Sequence, residues 1–211
     1  MSELDPIEAI MTTRAIRRFR PDPVSDDDIR TCLAAAQQAP SGGNVQPQHY
    51  VVVTDPALRD QLAEHYRLAF DRYEATLPDL DDAAWQRTRA ASRYLADHLG
   101  EVPVLVVFLQ PLIPWGGSDE HGPLDIGRLD ASVYPAVQNF CIAARALGLG
   151  TTLTTVIRVR GTEVLGLLGV PAGRFEIAAL VPLGYPQGNF GVAPRKPAEK
   201  ATHWNGWARR D

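Results

Sequence analysis

The sequence predicts an α+β domain in which a sheet is layered between helices. Three observations lead there. Short apolar, β-branched runs such as "HYVVVTD" and "PVLVVFLQ" alternate unevenly with stretches of helical period. The stretch "RLDASVYPAVQNFCIAARALGLG" repeats Val133, Val137, Phe140, Ala144 and Leu147 at helical spacing and closes on glycines, so it reads as a central helix. No internal repeat or low-complexity segment interrupts the 211 residues, which are 45% hydrophobic and 22% charged, enough for one substantial core.

The elements follow in order. Asp5 caps a helix that starts at Pro6 and runs through "IEAIMTT". Ser25 caps a second, whose Asp26, Asp27 and Asp28 face the positive end of its dipole and which ends before Pro40. Residues 49–55 form a buried strand between Pro47 and Pro56. Charged helices are expected over 57–75 and 82–99 as an excursion, then a second buried strand over 103–110. Residues 111–127, rich in Gly and Pro and carrying Trp115, read as a long functional loop. After the central helix come a strand "TTLTTVI", a short helix "GTEVLGLLGVP" and a strand "FEIAALVPLGYP". The tail from about 187 to 211 has no core of its own, yet its Trp204 and Trp207 are costly to leave in water, so it is expected to pack on a partner subunit.

Charge and motifs exclude several functions. The net charge of −4 argues against a nucleic-acid binder, although four arginines crowd into "TTRAIRRFRPDP". Cys32 and Cys141 lie in apolar helical patterns and read as buried thiols in a reducing compartment. No basic region precedes an apolar run at the N-terminus, and no run approaches a membrane span, so the expected location is cytoplasmic. The five histidines are scattered without a zinc signature, so no metal is expected, and GxGxxG, GxSxG and a phosphate loop are missing. Side chains that advertise so little chemistry point to an organic cofactor.

Three segments remain. The first is the arginine cluster. The second is "APSGGNVQPQHY", whose Asn44 and Gln46 offer paired donors and acceptors suited to the edge of a heterocycle. The third is "GYPQGNFGVAPRKP", which delivers Arg195 and Lys196. With "GLGT" between them, "RAIR", "PSGGNVQP" and "GYP…PRKP" stand in the order seen in the nitroreductase family, which the chain resembles from about residue 5 to its end. The "THWNGW" ending is similar to an actinobacterial subgroup of that family.

The resemblance implies a single three-layer nitroreductase-like α+β domain with a mixed sheet flanked by helices, an intertwined homodimer, and two FMN sites at the subunit interface. It implies that Arg14 and Arg17 bind the FMN phosphate and the pyrimidine edge, with Arg195 a second phosphate clamp aided by Lys196. Ser41, Asn44 and Gln46 would line the ribityl chain and ring, and Thr154 and Thr155, on the strand after the central helix, would set backbone N–H groups near flavin N5. Ala15 stands where the family has a serine. Tyr66, Phe70, Tyr73 and Trp115 would shape the substrate pocket. Arg18 and Arg20 read instead as solvated arginines pairing with Asp22 or with Asp26–Asp28. The implied activity is ping-pong reduction of a nitroaromatic, quinone or similar small acceptor by NAD(P)H, with no protein nucleophile and Arg17 as an electrostatic aid. The family also implies alternatives: dehydrogenation of a natural product, dehalogenation, flavin degradation, or FMN storage without catalysis.

Overall fold

A computed structural model describes residues 4–208. Its elements are α1 (Pro6–Thr12), α2 (Asp26–Gln37), β1 (His49–Val53), α3 (Pro56–Glu74), α4 (Ala83–His98), β2 (Val104–Pro111), β3 (Ser118–Asp119), β4 (Gly122–Pro123), α5 (Asp130–Ala146), β5 (Gly150–Thr151), α6 (Gly161–Leu167) and β6 (Phe175–Gly184). The main sheet has the order β1-β2-β6-β5 with antiparallel pairing throughout. A parallel bridge from Ala15 to Thr151 makes it mixed.

β2 explains why the sheet needs helices on both faces. Its side chains alternate, as any strand's must. Val104, Val106 and Phe108 join a core with α2 and α5, while Leu105, Val107 and Leu109 join another with α3, α4 and α6. A run that is apolar on both faces can only be a central strand. β6 carries one extra residue, Ala178, where Phe108 pairs with Ala179 but Leu109 with Ile177, and this bulge re-aims the strand between the two cores.

The helix starts follow local chemistry. The side chains of Asp5, Ser25, Asp55 and Asp82 each accept a backbone N–H at the first turn of α1, α2, α3 and α4. Asp26 and Asp27 also pair with Arg30. α5 is the most enclosed helix: Val133, Ala136, Val137, Phe140 and Ala144 are fully buried. Cys32 and Cys141 are both buried and free.

The strand expected over "TTLTTVI" is corrected. Only Thr151 of it belongs to β5, Thr154 makes an isolated bridge to Leu180, and Val156–Arg160 is a 3-10 helix. Thr152 is buried and donates its hydroxyl to the Ile16 carbonyl, whereas Leu153 is exposed. Side-chain bonding by threonine has displaced the ladder. Loop 111–127 holds only the two-residue β3–β4 hairpin. In the tail, Trp207 is 86% exposed in the single chain, and residues 209–211 lie outside the described ones. Among the described residues no helix is long and apolar enough to cross a membrane.

Candidate active site

The arginine cluster lies on an extended arm between α1 and α2. Ile16 donates its N–H to the Thr151 carbonyl at 2.8 Å, and Arg20 donates to Tyr185 at 2.8 Å. Gln187 closes the arm by donating its backbone N–H to Arg18 and its side-chain amide to the Phe19 carbonyl. Two glycines of the recognised motifs make room for it. A Cβ on Gly150 would sit 2.9 Å from Ile16, and one on Gly184 would sit 2.9 Å from Pro103 and 3.3 Å from Phe19. "GLGT" and "GYP" are therefore the two places where the sheet admits the arm.

The arm sorts its arginines. Arg20 pairs with Asp22 at 2.9 Å. Arg18 needs a correction: its guanidinium stacks 3.5 Å from the Tyr94 ring centroid and takes no aspartate. Among the described residues Arg14, Arg17 and Arg195 form no ion pair. Arg17 is half-buried. Burial, opposed by Tyr66 and reinforced by the charge of Arg14, holds its guanidinium below the ordinary range. An uncompensated cation kept out of water is a site that an anion would relieve.

Tyr66 of α3, only 3% exposed, shares a 3.1 Å hydrogen bond with the Thr154 hydroxyl. Burial raises its phenol above the ordinary range, with the Thr154 bond and Arg17 acting against it. The Thr154 backbone N–H donates to Leu180. The Thr154 N–H is thus committed to the sheet, and its hydroxyl is engaged by Tyr66 and accepts the Val156 N–H at 3.4 Å. Phe70 is 3% exposed and lies under the Arg93 guanidinium at 4.7 Å. Tyr73 is exposed beside it.

The second segment stands elsewhere. In "PSGGN", the Gly42 N–H donates to Ser132 Oγ at 3.1 Å near the start of α5, and Trp115 closes over Gly42, 3.1 Å from where a Cβ would be. Trp115 thus stands against the Gly42 turn. Asn44 and Gln46 both adopt positive φ, 55° and 48°, an uncommon choice for side chains other than glycine that often marks function. Ser41 Oγ accepts the Gln46 N–H at 3.0 Å.

A one-way relay of hydrogen bonds then runs from Tyr50 to Asn44. Tyr50 donates to Gln37 Oε1 (3.1 Å), Gln37 Nε2 to Gln46 Oε1 (3.0 Å), and Gln46 Nε2 to Asn44 Oδ1 (3.1 Å). The Asn44 amide nitrogen is left as the free donor at its end. Among the described residues Gln48, 5% exposed, has no partner within hydrogen-bond distance for either amide atom. Sequence reasoning missed Gln37, Gln48, Tyr50 and Ser132. Only Gln48, a third carboxamide in "NVQPQ", left a trace in the sequence.

The two groups of candidate residues attach to different ends of α5. The arginine arm begins at Thr12, which accepts from Arg145 Nε at 2.8 Å near the end of α5, while Gly42 is tied to Ser132 near its start. At 1.5 Å rise per residue, those two points on α5 are about 20 Å apart. Arg195 and Lys196 are exposed, and among the described residues the Arg195 side chain hydrogen-bonds only the Pro194 carbonyl, at 3.2 Å. A cavity of about 630 Å³ between α6 and the start of β6, lined by Leu112, Arg158, Leu165, Phe175 and Glu176, contains none of the expected residues.

The model of the nitroreductase family matches residues 10–185. The chain belongs to the nitroreductase family. A 5,6-dimethylbenzimidazole synthase of Rhodospirillum rubrum is 30% identical over 175 residues, covering 82% of this chain and 78% of its own. An NADPH-flavin oxidoreductase of Vibrio harveyi is 27% identical over 202 residues, covering 94% and 73%. Among solved structures, iodotyrosine deiodinase bound to FMN and 3-iodo-L-tyrosine superposes with a TM-score of 0.76 at 21% identity, covering 96% of this chain and all of that one. That last likeness bears on the fold.

Proposed function

We propose that this nitroreductase-family chain is an FMN-dependent oxidoreductase that takes electrons from NAD(P)H and passes them to a small aromatic acceptor such as a nitroaromatic or quinone. The observation that carries this reading is the set of unpaired guanidiniums at Arg14, Arg17 and Arg195 in a chain of net charge −4. Planar guanidinium forks match phosphate oxygens two at a time. The Asn44 amide donor at the end of the relay would supply a neutral polar contact of the kind a flavin's carbonyl-rich edge calls for, with the buried Gln48 amide behind it. These residues fit FMN.

Bound FMN would supply the hydride chemistry. The chain's own residues would bind and orient it. Arg14 and Arg195, with Lys196, would hold the phosphate. Arg17 would sit at the pyrimidine edge and favour negative charge there. Asn44, Gln46 and Ser41 would come from the second subunit of a homodimer, because α5 separates them from the arm. The N–H of Thr155 and the hydroxyls of Thr154 and Tyr66 would face the reactive side. Ala15 brings no hydroxyl, and its backbone serves the sheet instead.

Purified protein is expected to be yellow, and the variant with both Arg14 and Arg195 replaced by alanine colourless. Wild-type protein that is colourless and takes up no added FMN would sink the proposal. Stopped-flow mixing with NADH and NADPH, then with an acceptor panel, tests the electron path.

A second reading has a specific observation in its favour. The relative at 30% identity is a 5,6-dimethylbenzimidazole synthase, and a deiodinase shares the fold. A flavin enzyme with other chemistry would bind FMN yet, once reduced, pass no electrons to nitroaromatics or quinones.

A further inference from the structure

Arg145 lies in the last turn of α5, where the helix dipole favours a cation. That preference accounts for a positive charge there, though not for where the side chain goes. Its Nε donates to Thr12 Oγ1 at 2.8 Å, and the same hydroxyl donates to the Glu8 carbonyl at 2.6 Å, so Thr12 is held from both sides. Thr12 is 9% exposed, and Arg14 follows two residues later. The Arg145 guanidinium also lies 4.0 Å from the centroid of the Phe190 ring. Phe190 belongs to the loop that leads to Arg195. Among the described residues no backbone-to-backbone hydrogen bond involves residues 188–196. The Phe190 contact and the buried Ala193 tie that loop to the body of the chain.

We propose that Arg145 is a positioning residue that locks the arm carrying Arg14 and the loop carrying Arg195 against one helix end, and so sets the phosphate-binding specificity of the site. This rests on the FMN reading above. Arg145 acts through Thr12 on one strand of the clamp and through Phe190 on the other. No carboxylate neutralises it among the described residues, so its charge adds to the field that attracts a phosphate to this end.

Three variants test it: Arg145→Met, which keeps the helix and loses both contacts, Arg145→Lys, which keeps the cation, and Phe190→Leu, which removes only the ring. Fluorescence titration measures affinity for FMN and for riboflavin, which has no phosphate. In Arg145→Met and Phe190→Leu, FMN affinity is expected to fall about tenfold and riboflavin affinity to change less than about twofold, with Arg145→Lys in between. In apoprotein, tryptic cleavage after Arg195 is expected to quicken in Arg145→Met while the global melting temperature holds. Equal weakening of FMN and riboflavin, or cleavage and FMN affinity both unchanged, overturns the proposal. Should Arg145→Met fail to fold, Phe190→Leu carries the same two outcomes. Wild-type protein that binds no FMN overturns the parent reading instead, and cleavage after Arg195 still reports on the clamp.

Discussion

At the scale of single residues, the most informative group is Arg17. A half-buried guanidinium with no carboxylate is a local cost that the apoprotein carries. Arg17→Met keeps the stem and removes the charge, so apoprotein stability should rise by about 0.5–2 kcal/mol, as when other strained functional positions are relaxed. At 211 residues each kcal/mol is worth about 2–4 °C of melting temperature. FMN affinity should fall in the same variant. A less stable apoprotein would mean that Arg17 is a structural cation. The cysteines give the pH prediction. Burial pushes Cys32 up to about 12, with Asp28 adding to it, and Cys141 up to about 11. A raised thiol pKa leaves little thiolate at pH 8, and the thiolate is the reactive form. Alkylation of native protein should therefore be slow at pH 8 and quicken as pH rises toward 11, while unfolding exposes both thiols at once. Rapid labelling of either thiol in folded protein at pH 8 would contradict this burial.

At the scale of elements, the docking of the arm onto β5 is the contact on which the arginines depend. Gly150→Val would force a branched side chain into Ile16, which already stands 2.9 Å from the position of a Cβ. Overpacking of this kind costs about 1–3 kcal/mol, and here it should also lower FMN affinity by displacing Arg14 and Arg17. Ile16→Ala in the same chain should restore part of both losses, a coupling that a double-mutant cycle measures. Additive effects would show that the arm does not move. The same contact marks where sequence reading stopped. α2 was legible because Ser25 and three aspartates announce its start, and α5 because its apolar period is long. β2 was legible as a buried strand because both its faces are apolar. The segment after α5 was not, since β-branched composition describes a preference for extended backbone and says nothing of who the partner is. Thr152 and Thr154 spend their hydroxyls on Ile16 and Tyr66, contacts set by residues far away in sequence. The candidate site divides the same way. Its arginines and carboxamides were visible as residue types, but the Tyr50–Gln37–Gln46–Asn44 relay depends on a turn with positive φ at Asn44 and Gln46, which only coordinates reveal.

At the scale of the molecule, the single chain leaves several apolar side chains uncovered. α1 buries Ala9 and Thr12 but leaves Ile7, Ile10 and Met11, one apolar stripe at helical spacing, open to solvent. Trp204 and Trp207 are exposed as well. A two-fold dimer covers such patches symmetrically, and sedimentation should give twice the 23.1 kDa of the chain. The same symmetry makes a sharper prediction about the site. Arg14 lies toward one end of α5 and Asn44 toward the other, so each flavin would take its arginine from one subunit and its asparagine from the partner. Arg14→Ala and Asn44→Ala should then each bind FMN poorly alone. When the two variants are mixed and allowed to exchange subunits, each mixed dimer collects both defects in one site and leaves its second site intact. With random exchange about half the dimers are mixed, so about a quarter of all sites should regain FMN. Differently tagged subunits verify that exchange has occurred. Mixed dimers that form and yet recover no flavin would mean that each site is built within one chain, and the separation of the two residues along α5 would need another explanation.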